Sequence, residues 1–139
     1  MRASIALCSV TGELSRLMAF AEAFARDCGF ADEERARLLI ILEELFTNVA
    51  AHGNAQSVAA ALDWSRGRLT IDFVDDGRPF DPLTHPRVDL DAPGEERPIG
   101  GLGIEIVRAL VDKARYRRQD SRNHLRLGRR IAPAAKDRR

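Results

Sequence analysis

The chain has 139 residues, 45% of them hydrophobic and 31% charged, which suits one soluble domain with a single core and leaves no room for a second. No run approaches the roughly 18 apolar residues of a membrane helix, and the N-terminus lacks the basic-then-apolar layout of a secretory signal, so a cytoplasmic protein with no membrane contact is expected. The net charge of +1 conceals an asymmetry, because residues 1–107 carry 10 basic and 18 acidic side chains whereas residues 108–139 carry 12 and 3.

Residues 3–10 read as a first strand, and Thr11 is placed to cap a helix with Leu14, Leu17, Met18, Ala21, Phe24 and Ala25 at helical spacing, ended by Gly29. Asp32 is expected to cap a second helix, with Glu33 and Glu34 suiting the dipole of its first turn. Its apolar stripe is Leu38, Leu42, Leu45 and Val49, broadened by Leu39, Ile41 and Phe46, and Gly53-Asn54 closes it. Residues 57–64 and 68–75 read as strands joined by a turn at Ser65-Arg66-Gly67. A proline-rich, charged stretch from Arg78 to Gly100 reads as a long loop, a feature often functional in compact domains. A helix is expected at about 103–113, then strands near 114–120 and 123–130, giving one domain over 1–131 and a frayed, disordered basic tail over 132–139. Cys8 and Cys28 have no CxxC spacing and read as buried reduced thiols.

Three short segments carry chemistry. Glu44 and Asn48 sit one turn apart on the second helix and can reach one ligand. An amide oxygen suits Mg²⁺, which takes few protein ligands, and a carboxylate one turn away can deprotonate an attacking hydroxyl. Asp75 stands where a strand gives way to a turn, and Gly77 lets backbone approach a flat ligand. An ionised carboxylate only accepts hydrogen bonds, so it favours the amino group of adenine over the carbonyl of guanine. Gly100-Gly101-Leu102-Gly103-Ile104 opens a helix, where exposed N–H groups can hold phosphate. Taken singly, each also fits a plainer role: a solvent-facing helix turn, a surface Asp-Gly turn, a glycine-rich hinge. The glycine segment is neither a Walker loop nor a dinucleotide fingerprint, lacking GxxxxGK[ST] and the third glycine of GxGxxG. His52, one turn beyond Asn48, reads as a hydrogen-bonded histidine at the helix end.

In this order the segments resemble the Bergerat-type ATPase fold shared by DNA gyrase, MutL and sensor histidine kinases, and most closely its anti-sigma-factor serine kinase branch. Glu43 through Gly53 looks like that branch's N-box, Val74 through Pro82 its first glycine box, and Gly100 through Asp112 its second. The resemblance implies an α/β two-layer sandwich, with a mixed, mostly antiparallel sheet covered by helices on one face. It implies ATP and Mg²⁺ as cofactors, Asn48 as the metal ligand, Glu44 as general base and Asp75 with Gly77 at the adenine. Gly101 and Gly103 would line the phosphates within a binding segment that includes Gly100, Leu102 and Ile104, and residues 83–99 would form an ATP lid. Members of the branch phosphorylate a serine on a small antagonist protein, bind a sigma factor when free of that antagonist, and are commonly homodimers. Two departures stand out: Pro79 replaces a glycine frequent in the wider superfamily, and near Asn123-His124-Leu125 no residue matches the hydroxyl that often helps to hold the adenine aspartate's water.

The expected function is therefore an ATP- and Mg²⁺-dependent protein serine/threonine kinase, a transferase acting on an antagonist-like protein in bacterial partner switching. The alternative is a nucleotide-responsive, non-catalytic module that sequesters a regulatory protein. Arg115, Arg117, Arg118, Arg122, Arg126, Arg129 and Arg130 could bind an acidic partner or nucleic acid, or be a solvated hairpin face. With Tyr116 the sole aromatic there, a single-strand stacking platform is not expected.

Overall fold

A computed structural model describes residues 1–8, 11–84 and 101–131. The elements run β1 (Arg2–Cys8), a 3₁₀ turn (Thr11–Glu13), α1 (Leu14–Cys28), α2 (Asp32–His52), β2 (Ser57–Ser65), β3 (Arg68–Asp75), a 3₁₀ turn (Pro82–Thr84), α3 (Gly101–Leu110), β4 (Lys113–Gln119) and β5 (Arg122–Arg130). The five strands form one sheet in the order β1-β2-β3-β5-β4, and every pairing among them is antiparallel. Only the β3–β5 pair is non-sequential, with α3 and β4 lying between the two in the chain.

Strand alternation builds the two layers. Leu69, Ile71, Phe73 and Asp75 of β3 are buried, while the residues between them are half-exposed. Leu125 and Leu127 of β5 and Val58, Ala60 and Leu62 of β2 join that buried face, and Leu17, Phe24, Leu38, Ile41, Leu42, Leu45 and Phe46 cover it from α1 and α2. The expected sandwich is present, with its helices on one face. Both hairpins turn on two residues at positive φ, Arg66 (53°) with Gly67 (77°) and Asp120 (53°) with Ser121 (60°), the combination that matches the strands' twist.

Several boundaries differ from the sequence reading. Thr11 opens a 3₁₀ turn instead of capping α1, whose N-cap is Glu13 without a side-chain cap bond. That carboxylate is engaged by the Arg16 guanidinium at 2.9 Å and the Cys8 N–H at 3.3 Å. Asp32 is the first residue inside α2, following Ala31 in extended conformation, so it acts on the helix dipole with Glu33 and Glu34 and not as a cap. Gly29 ends α1 as expected, at φ 73° with its N–H returned to the last turn. Helix α3 begins earlier than expected and stops at Leu110, because the Asp112 N–H bonds to the Gly128 carbonyl at 2.8 Å and its carboxylate accepts from the Arg130 N–H at 2.5 Å. Cys8 is exposed and Cys28 half-buried, both free, so neither thiol is in the core. No described helix is long and apolar enough to cross a membrane. The expected tail (132–139) and most of the expected lid (85–99) lie outside the described residues.

Candidate functional site

The second half of α2, the end of β3 with its following turn, and the start of α3 converge on a cavity of about 310 Å³. Leu45, Val49, Phe73, Ile104 and Leu125 give it apolar walls, and Asn48, Asp75 and Asn123 supply polar groups. This is the usual make-up of a small-molecule site, apolar with a few convergent polar atoms.

Asp75 is only 7% exposed at the end of β3. Its Oδ1 accepts the Gly77 N–H at 2.9 Å and the Asn123 amide at 3.0 Å. Both bonds fall on one oxygen, so Oδ2 has no hydrogen-bond partner among the described residues and stays available as an acceptor. Gly77 is required sterically, since a Cβ there would collide with the Gly53 carbonyl oxygen and lie 2.9 Å from Asp75 Oδ1. The adjacent Arg78 N–H bonds to that same Gly53 carbonyl at 2.9 Å, which locks the Asp-Gly turn to the end of α2. Arg118 of β4 adds a bond from Nη1 to the Gly77 carbonyl at 2.7 Å.

Asn123 is the residue that sequence reasoning missed. It lies directly opposite Asp75 in the β3–β5 register and is 6% exposed. Its amide also donates to the Arg78 carbonyl at 2.9 Å, and its Oδ1 accepts from Tyr116 Oη at 2.6 Å and the Phe80 N–H at 3.2 Å. One side chain thus joins the carboxylate, the turn and β4. A hydroxyl was sought at this place; an amide holds the aspartate directly. The available signal was a lone Asn in a strand otherwise rich in Arg and Leu.

Asp76, which had no assigned role, is structural. Its Oδ1 accepts the N–H groups of Gln56 (2.8 Å) and Ser57 (3.0 Å), and Oδ2 takes the Ser57 hydroxyl (3.1 Å). Those bonds, the Ser57 N–H foremost, hold its carboxyl below the usual aspartate range.

Glu44 and Asn48 lie one turn apart on α2, both half-buried. The Glu44 carboxylate reaches the first turn of α3, where a Cβ on Gly103 would collide with Oε2. At 1.5 Å per residue, Glu44 stands about 13 Å along the α2 axis from Gly53, with Asn48 between them. Ile104 is buried and lines the cavity, and Gly101 begins α3. For Leu102 the structure describes the backbone only, and Gly100 lies outside the described residues. The His52 side chain likewise falls outside the description.

Residues 9–129 match the family described as the histidine kinase-like ATPase domain. The chain belongs to that family. It is 25% identical over 103 residues to the serine/threonine-protein kinase BtrW of Bordetella bronchiseptica, covering 71% of this chain and 72% of that protein. Its fold matches the structure of the RsbU and RsbW domains of Rv1364c from Mycobacterium tuberculosis, with a TM-score of 0.70 and 17% identity over 96% of this chain. It also matches the Acinetobacter baumannii histidine kinase AdeS, with a TM-score of 0.50 and 19% identity over 71% of this chain. The chain spans 34% and 48% of those two solved chains, so they speak for its fold. The Bergerat-type fold read from the sequence stands, in a kinase-like ATPase domain related to the anti-sigma-factor kinases. An ATPase domain implies ATP as the nucleotide.

The donors present also suit Mg²⁺. No cluster of three or more His, Cys, Asp or Glu able to enclose a metal occurs among the described residues, and Asn48 is a neutral oxygen donor on the cavity wall. A cation that keeps water and phosphate oxygens in most of its shell needs no more from the protein.

Proposed function

We propose that this chain is an ATP- and Mg²⁺-dependent protein serine/threonine kinase of the anti-sigma-factor type, acting on a hydroxyl of a small antagonist-like protein. The observation that carries the reading is the line along α2: Asp75 beside Gly53 at one end, Asn48 midway, and Glu44 against Gly103 at the start of α3. Its length of about 13 Å is the scale of an extended nucleoside triphosphate. Adenine binds with its amino group at Asp75 Oδ2 and its ring against the apolar walls. The phosphates run toward the first turn of α3, whose free N–H groups and positive dipole favour them. Asn48 would hold Mg²⁺, which supplies charge neutralisation on the phosphate oxygens. Glu44 orients the attacking hydroxyl and takes its proton as the oxygen bonds to the terminal phosphorus, the bridge to the second phosphate breaks and ADP leaves. Similarity to a named serine/threonine kinase supports transfer to a hydroxyl. Partner switching with an antagonist and a sigma factor, and a homodimeric state, rest on the resemblance of the sequence segments.

The test pairs binding with chemistry. Purified chain is given labelled ATP and the antagonist-like protein encoded beside it, and Glu44→Gln is run in parallel. Nucleotide affinity within about threefold of the parent with transfer reduced at least a hundredfold is expected, since general-base contributions are typically 10²–10⁴-fold. ATP and antagonist binding without any transfer by the parent would instead establish the non-catalytic sequestering module.

A further inference from the structure

The face of the sheet turned away from the helices has a composition of its own. On β4 and β5, strand alternation assigns Lys113, Arg115, Arg117, Arg122, Arg126 and Arg130 to this outer face. The register sets Arg115 directly opposite Arg126, and Arg130 directly opposite Arg68 of β3. Like charges in directly opposed positions destabilise a sheet. Of these cations only Arg126 has an ion-pair partner among the described residues, Asp72 at 2.7 Å. Two opposed arginine pairs are thus retained at a cost to the sheet.

The other half of the same face is different. Across β1, β2 and β3 it presents Ser4, Ala6, Ala59, Ala61, Thr70 and Val74, all exposed or half-buried. These side chains rise little above the backbone, so they make a flat, mostly apolar floor beside a cationic bank. With strands about 4.8 Å apart, the floor is about 10 Å wide, the diameter of one helix.

We propose that this outer sheet face docks an acidic amphipathic helix of a partner protein, its apolar stripe on the alanine floor and its carboxylates against the β4–β5 cations. Three other occupants fit less well. Nucleic acid would use the cations but leave the floor idle, and Tyr116 is turned inward to Asn123, away from any base. An anionic membrane would find no large apolar side chain on the floor to insert. A second copy stacked face to face would bring the two cationic banks together. The face lies on the opposite side of the sheet from the Asp75 cavity, so the proposal does not depend on the kinase reading, and both ligands can be held at once.

The full chain and the variants R115E/R117E and A61R are titrated with a fluorescent helical peptide carrying Glu along one side and Leu with Ala along the other. The same peptide with its apolar positions changed to Ser, a DNA duplex and phosphatidylglycerol vesicles serve as comparators at one salt concentration. The parent chain should bind the amphipathic peptide at least about tenfold more tightly than the Ser version and any other comparator, and R115E/R117E should lose at least about tenfold. A61R, which crowds the floor while adding positive charge, should weaken the amphipathic peptide and not the DNA. None of these positions touches the nucleotide cavity, so unchanged ADP affinity and thermal midpoint certify that the variants are folded. Equal binding of the Ser version, tighter binding of duplex or vesicles, or peptide binding indifferent to R115E/R117E overturns the proposal. So does a parent dimer in sedimentation that R115E/R117E dissociates, because the face is then occupied by a second copy.

Discussion

Replacing Asn123 by Leu, close in size but without polar atoms, tests whether the adenine-reading carboxylate is held in place by its neighbour across the strands. The side chain makes four hydrogen bonds, to Asp75 Oδ1, the Arg78 carbonyl, Tyr116 Oη and the Phe80 N–H. Arg78 and Phe80 are exposed, so water replaces those partners at small cost, whereas Asp75 Oδ1 keeps only the Gly77 N–H. Removing one donor from a buried charged acceptor costs about 1.5–3 kcal/mol, and Tyr116 Oη adds up to about 1 kcal/mol. A total loss of about 2–4 kcal/mol in folding stability follows, read from the denaturation midpoint at constant slope. The functional effect is more specific. With Asp75 free to rotate, Oδ2 is no longer directed into the cavity, and ADP should bind about 10–30-fold more weakly, about 1.4–2 kcal/mol. Inosine diphosphate, which presents an oxygen where ADP presents an amino group, gains nothing from that carboxylate and should weaken by less than about threefold. Calorimetric titration of both nucleotides, well below the melting midpoint, measures the ratio. If both weaken by the same factor, Asn123 is merely structural; if neither weakens, the carboxylate does not need it.

Three further predictions follow from contacts elsewhere. Gly103→Ala meets only the movable end of Glu44, so the thermal midpoint should hold within about 0.5 kcal/mol while phosphoryl transfer falls at least tenfold; undiminished transfer would separate Glu44 from the chemistry. Gly77→Ala collides with backbone at Gly53, which cannot swing aside, and should cost about 1–3 kcal/mol of stability along with most ADP affinity; an unchanged melt refutes the packing. Glu34 is joined to Arg129 by bonds of 2.9 Å to Nε and Nη2, and the hydrogen bond from Arg129, the largest cause, holds its carboxyl below the usual glutamate value of 4.5. A depressed folded-state pKa gives stability that is present above that usual value and lost as pH falls through the folded one. Glu34→Gln should therefore be less stable than the parent by about 1–3 kcal/mol at pH 7, with the gap closing below pH ~4; a gap that does not shrink in acid contradicts the ion pair.

Much of the architecture was legible because its determinants are local. Periodic Leu and Ile marked α2, alternating Leu69, Ile71 and Phe73 marked β3, and Gly29 marked the end of α1. Caps and ends were less so. Thr11 and Asp32 are good capping residues by type, but Glu13 and Ala31 occupy the N-cap positions, and α3 ends where Asp112 is drawn into the sheet by Gly128 and Arg130. These outcomes depend on partners far along the chain, which propensity does not see.

The amino-acid sequence by itself determined the order of helices and strands, the three segments that meet at the cavity, and the chemical types of Glu44, Asn48 and Asp75. Tertiary structure alone decided what stands beside them. The β3–β5 register put Asn123 against Asp75, and the close approach of α3 to α2 put Gly103 against Glu44. Register also sorted the basic hairpin, turning Arg118 in to the Gly77 carbonyl and Arg129 in to Glu34 and the Leu110 carbonyl. The remaining cations were left on the outer face. Composition records that charge is present, but strand pairing, which joins residues dozens of positions apart, decides which face carries it.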